Sequence, residues 1–194
     1  MSTAIVLLGP PGVGKGTQGA WLADALSIPE ISTGEIFREN VEQQTELGRL
    51  ADIFISQGEF VPDTVTTPMV AARLDAPDAA AGFVLDGYPR TVDQAVALRG
   101  ILEEQGRKLD VVLELSAPQD VLLGRLMHRA AEEGRADDRE EVFARRLEIY
   151  RDRTEPLAAH YEERGLLEVV DASGDREEVF EAMMAALRSR GIGE

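Results

Sequence analysis

Cysteine is missing from this chain of 194 residues. Its absence excludes a disulfide scaffold, a thiolate zinc site, an iron–sulfur cluster and a cysteine nucleophile. Lysine is nearly missing: Lys15 and Lys108 stand alone, and every other base is arginine. That skew fits the codon usage of a GC-rich genome, with adaptation to salt as the alternative. Histidine occurs only at 128 and 160, tryptophan at 21 and asparagine at 40. Long apolar runs are lacking. The first, Ala4–Leu8, is too short for a membrane span or a signal peptide, and no basic stretch precedes it. Positive charge is scarce, with 20 bases against 36 acids and a net charge of −16, a balance that repels duplex DNA and anionic membrane. The expectation is a cytoplasmic protein with neither nucleic acid nor membrane as partner.

What is present is ordinary globular material, 44% apolar and 29% charged, in a chain long enough to bury a core without cross-links. There is no repeat, low-complexity tract or Ser/Gly linker, so one domain is expected. Four short apolar runs read as strands buried on both faces: Ala4–Leu8, Phe83–Leu85, Val111–Leu115 and Leu167–Val170, with a weaker fifth at Pro29–Ser32. Helical patterns lie between them. Ser116-Ala117-Pro118-Gln119 offers a cap, a helix-starting proline and a capping-box glutamine, and Asp138-Arg139-Glu140-Glu141 precedes a long helical pattern reaching about Glu163. Strands alternating with helices predict an α/β fold, a five-stranded parallel sheet covered by helices on both faces. Ligands of such sheets bind beyond the carboxyl ends of the strands, here just after Leu8 and near Ser32, Asp86 and Asp171.

Directly after the first strand stands Gly9-Pro10-Pro11-Gly12-Val13-Gly14-Lys15-Gly16-Thr17. Glycines let successive N–H groups turn inward around phosphate oxygens, the following helix adds the positive end of its dipole, and Lys15 supplies a point charge. Strand before and helix after are the context that a phosphate loop requires, so Gly12 to Thr17 are expected on a nucleoside triphosphate. The usual loop has Ser or Thr right after its lysine; here Gly16 stands there and Thr17 follows. Asp86, at a predicted strand end, is the candidate acid for Mg²⁺, through water. A regulatory GTPase would need an Asn-Lys-x-Asp loop to read guanine, and the one asparagine is followed by Val41.

The phosphate must go somewhere. Arg38 and Arg90 offer bidentate forks for a phosphate monoester, and the amide of Gln94 matches a base edge such as adenine's. Each alone fits an ordinary surface position; their joint placement after predicted strands gives them weight. Arg125 and Arg129, four apart, share one helix face, and Arg135 and Arg146 follow around a short glycine-containing segment. Arg139, Arg145 and Arg151 read as solvated side chains, and so does His128. His160 reads as a helix-surface residue and Trp21 as packing.

Taken together, GPPGVGKGTQ, ISTGEIFR, GEFVPD, LDGYPRTVDQA and the RADD…RRL segment, in this order, resemble the adenylate kinase family across essentially the whole chain. The resemblance implies transfer of a phosphoryl group from MgATP to AMP, giving two ADP, on a phosphate-loop fold. It implies a monophosphate-binding flap over 32–61, a short lid over 129–138 and a core over 1–31, 62–128 and 139–194. A monomer is expected because no unmatched apolar surface is obvious in the sequence. AMP would touch Thr33, Arg38, the backbone around Glu59, Phe60 and Val61, and Gly87, Tyr88, Pro89, Arg90 and Gln94, with a cis peptide before Pro89. Arg125 would stack on the ATP adenine beside Gly174, Arg129 would bind phosphate, and Arg135 and Arg146 would bridge both nucleotides. Lys15, Arg90, Arg129, Arg135 and Arg146 would be the catalytic set. With no cysteine, the zinc-bearing lid of some relatives is excluded. Alternatives on the same residues are a uridylate/cytidylate kinase, which usually has asparagine where Thr91 stands, a small-metabolite kinase, and a nucleotide-sensing module without turnover.

Overall fold

A computed structural model describes residues 2–133 and 140–193. Its centre is a five-stranded sheet of β1 (Thr3–Leu8), β2 (Glu30–Ser32), β3 (Gly82–Asp86), β4 (Val111–Ser116) and β5 (Leu167–Asp171), in the order β2-β3-β1-β4-β5. Every pairing is parallel. The unbroken apolar run of β1 follows from its central place. Strand side chains alternate, so Ile5 and Leu7 enter the core on one face while Ala4, Val6 and Leu8 enter the other.

One face is covered by α1 (Lys15–Leu26), α6 (Gln119–Glu133) and α9 (Arg176–Ser189), through Leu22, Leu122, Leu126, Val179, Met183 and Leu187. The opposite face is covered by α4 (Asp63–Leu74), α5 (Val92–Glu104) and α8 (Pro156–Glu162), through Val70, Leu74, Leu98, Leu102, Leu157 and Tyr161. A small third core of Phe37, Ala51 and Val61 joins α2 (Thr33–Glu42) and α3 (Glu46–Ile55) beside the sheet. Caps define the starts. Ser32, Thr45 and Thr91 accept from the backbone N–H groups of Glu35, Gly48 and Gln94, and Asp175 forms a capping box with Glu178.

Two local expectations need correction. Ser116 does not cap α6: it is the last residue of β4, its carbonyl accepts from Ala172 N–H at 2.7 Å, and the strand pairing takes precedence over the cap. The long helix expected to reach Glu163 is also divided. α7 (Glu140–Ile149) passes into a π-helical turn at Tyr150–Thr154, and α8 begins afresh at Pro156, which has no N–H to continue the ladder. Among the described residues no helix is long and apolar enough to cross a membrane.

Because the chain leaves β1 for β2 and β3 on one side and later passes to β4 on the other, the carboxyl ends of β1, β3 and β4 flank a natural crevice. The phosphate loop lies at its centre.

Candidate active site

The loop after β1 is held open by glycine at positions that no other residue suits. Gly9 and Gly12 have φ of 141° and 85°, and a Cβ would stand 2.5 Å from the Leu115 carbonyl oxygen at the first and 2.8 Å from that of Leu122 at the second. Lys15 folds back over this loop, its Nζ donating to the carbonyls of Gly9 at 2.7 Å and Pro10 at 3.0 Å. Burial lowers its pKa from 10.5 to about 8; Asp86 pulls it up, while Arg90, Arg146 and Arg129 push it further down. Lys15 thus sits among cations, which suits a place where several negative charges arrive.

A cavity of about 340 Å³ opens over the loop, and Lys15, Arg38, Arg90, Arg129 and Arg146 all line it. Asp86, at the end of β3, lines it too, with its Oδ1 buried and accepting no hydrogen bond among the described residues. A buried acceptor left over beside a phosphate loop fits a water on Mg²⁺. Among the described residues no cluster of three or more acids and histidines could hold a metal by itself.

Two further recesses share walls with this cavity. One, between α2, α3 and α5, is lined by Thr33, Phe37, Arg38, Glu59, Phe60, Val61, Gly87 and Gln94. Here Arg90 is held from three sides. Its Nε donates to the Gly87 carbonyl at 2.8 Å, its guanidinium lies 4.9 Å from the Phe60 ring centre, and its own carbonyl accepts from Thr154 Oγ1 at 2.9 Å. Gly87 has φ of 81°, and a Cβ there would lie 2.5 Å from Thr33 Oγ1 and 3.2 Å from Arg90 Nη2. Gln94, only 3% exposed, accepts from Arg90 N–H at 2.7 Å and donates from Nε2 to Asp63 Oδ1 at 2.6 Å. The other recess, about 490 Å³, is lined by Gly12, Val13, Gly14, Thr17, Arg125, Arg129 and Gly174. Arg125 is set flat against its wall by donating to the carbonyls of Val13, Ala172 and Gly174 at 3.1, 2.8 and 2.7 Å.

The expected residues are therefore brought together with few exceptions. Gly16 lines the central cavity with Lys15. Pro89 follows a cis peptide and lines a small adjoining recess with Lys15, Arg90 and Arg146. Tyr88 does not reach the wall: it is fully buried in the core, its hydroxyl 3.1 Å from that of Thr67. Arg135 and Arg139 lie outside the described residues, as does half of the expected lid. Arg145 is exposed, as expected, and pairs with Glu59 at 2.6 Å and with Glu148 at 2.7 Å, tying α7 to the rim of the first recess. Arg151 donates to Gln119 Oε1 at 3.0 Å. His128 is exposed, as expected, yet lines the Arg125 recess. Trp21 packs edge-on to Phe180. Sequence reasoning assigned no role to Asp63 or Thr154. GEFVPD contains Asp63, but Thr154 lies 64 residues from Arg90 with no local signal.

A family model described as "Adenylate kinase" matches residues 7–166. Among curated proteins, the chain is similar to an adenylate kinase of Thermobifida fusca (strain YX), 52% identical over 96% of this chain and 98% of that one. It is also similar to adenylate kinases of Clavibacter michiganensis subsp. michiganensis, 48% identical over 98% of this chain and 95% of that one, and of Mycobacterium tuberculosis (strain ATCC 25177 / H37Ra), 50% identical over 94% and 98%.

Proposed function

The chain belongs to the adenylate kinase family and is an enzyme that transfers a phosphoryl group reversibly between ATP and AMP, giving two ADP; from that premise we propose how its residues divide the work. ATP lies with its base against the Arg125 shelf beside Gly174 and its phosphates in the loop from Gly12 to Thr17. AMP lies in the opposite recess, its base read by Gln94 and its phosphate gripped by Arg38 and Arg90. The two phosphate tails meet over Lys15. The observation that supports this reading is the single cavity lined by Lys15, Arg38, Arg90, Arg129 and Arg146 between the two recesses.

An oxygen of the AMP phosphate forms a bond to the γ-phosphorus of ATP as the bond to the ADP oxygen breaks, in line. That phosphate is already anionic, so no general base is needed. Charge spreads over the transferred oxygens, and Lys15, Arg90, Arg129 and Arg146 neutralise it, with Arg135 joining them by family resemblance. Mg²⁺, carried with ATP and held through water by Asp86, would neutralise charge on the β- and γ-oxygens when bound. Water competes as an acceptor, so the flap over 32–61 closes once both nucleotides are bound.

We assign the enzyme to the cytoplasm, as a monomer that salvages AMP and maintains nucleotide balance. An assay of AMP, CMP, UMP and GMP as acceptors tests the base-reading role: AMP should be the best by a wide margin, and equal use of another monophosphate would remove that role from Gln94.

A further inference from the structure

A primary amide has two N–H donors and an oxygen with two lone pairs. In Gln94, half of this capacity is engaged: Arg90 N–H donates to Oε1, and Nε2 donates to Asp63 Oδ1. One donor and one acceptor remain on a residue that lines the recess proposed for the AMP base. They complement adenine, which presents an acceptor at N1 and a donor at its 6-amino group. A 6-oxopurine in the same pose presents the reverse, an N1–H and an O6, so donor meets donor and acceptor meets acceptor. Turning the amide through half a revolution would cure both clashes. An amide free to turn would therefore not tell the two bases apart.

Resting on the reading of Gln94 given above, we infer that Asp63 is a specificity-determining positioning residue, whose carboxylate locks the Gln94 amide in the orientation that accepts a 6-aminopurine and rejects a 6-oxopurine. In the turned orientation the amide oxygen would face the carboxylate and the NH₂ would face Arg90 N–H, both repulsive. The type of residue matters. An ionised carboxylate only accepts, whereas Asn, Ser or Thr could reverse its own polarity and follow the turn. Discrimination here includes a repulsive element directed at the wrong base, as specificity often does. Asp63 is itself exposed at the first turn of α4, so replacing it leaves the core untouched.

The test compares wild type with Asp63→Asn, Asp63→Ala and Gln94→Ala, measuring KM and kcat for AMP and the Ki of IMP as a competitor of AMP. Asp63→Asn keeps the shape and the helix-starting chemistry but loses the one-way polarity. Both Asp63 variants should lower the ratio of IMP Ki to AMP KM by about three- to tenfold, the worth of one hydrogen bond, while kcat stays within about twofold. A role confined to starting α4 would lower thermal stability in Asp63→Ala, spare Asp63→Asn and leave the ratio unmoved. If both Asp63 variants keep the wild-type ratio while Gln94→Ala loses it, the inference is overturned and the reading of Gln94 survives. If Gln94→Ala also keeps it, the reading of Gln94 falls and takes the inference with it.

Discussion

Burial makes Lys15 hold its proton weakly. Its pKa of about 8 lies below the ordinary 10.5, so between these values the folded enzyme binds fewer protons than the unfolded chain, and this group's contribution to stability rises with pH across that window. Phosphate oxygens arriving beside it reverse the balance. Calorimetry near pH ~8.5 in buffers of different ionisation heat should show proton uptake on ATP binding, and Lys15→Met should abolish it. Glu30 is the opposite case. Burial, then Asp86 and Glu35, raise its pKa from 4.5 to about 8, and its Oε1 is buried with no hydrogen bond among the described residues. The folded state keeps a proton that the unfolded chain releases, so stability should fall as pH rises through that interval. Glu30→Gln should flatten this slope, as read from urea midpoints at about pH 5 and about pH 8. At Arg90 the expectation is kinetic: Arg90→Ala should cut turnover by at least ~10² in a coupled ADP assay, since a transition-state arginine is worth that or more in related transfers. Near-normal turnover would remove Arg90 from the catalytic set.

Among the elements, the π-helical turn at Tyr150–Thr154 places the buried Thr154 against Arg90. Thr154→Val is nearly isosteric but withdraws the hydroxyl from the Arg90 carbonyl. Chemical denaturation should show a loss of about 1–2 kcal/mol, accompanied by a raised KM for AMP with a smaller change in KM for ATP. Equal changes for both nucleotides would mean that the turn does not act through Arg90. The same region marks where sequence reading stops. Asp138 to Glu163 carries one helical pattern, and its division depends on which turn must meet Glu114 and Arg90 across the core, since Tyr150 hydrogen-bonds Glu114 while Thr154 bonds Arg90. The phosphate loop, by contrast, was legible because its demands are local: positive φ at Gly9 and Gly12, and a helix starting at Lys15.

For the whole molecule, a net charge of −16 implies self-repulsion in the compact state. Salt should therefore raise the melting temperature at neutral pH, and the gain should shrink toward the isoelectric point near 4.5. A melting temperature independent of salt at neutral pH would show that local ion pairs offset the repulsion. The α/β class, its five strands and the phosphate loop could all be read from the sequence, because short unbroken apolar runs, helix caps and backbone-special glycines act over a few residues. The forks of Arg38 and Arg90 and the amide of Gln94 were legible as candidates from their chemistry and placement, and the family resemblance assigned them to AMP. Only the tertiary structure decided that Tyr88 belongs to the core rather than the cavity wall, that Arg145 clasps Glu59, and that Asp63 holds the Gln94 amide. Those outcomes depend on which side chains meet across tens of residues, where the competition among burial, charge and hydrogen bonding is settled by packing and leaves no mark in local pattern.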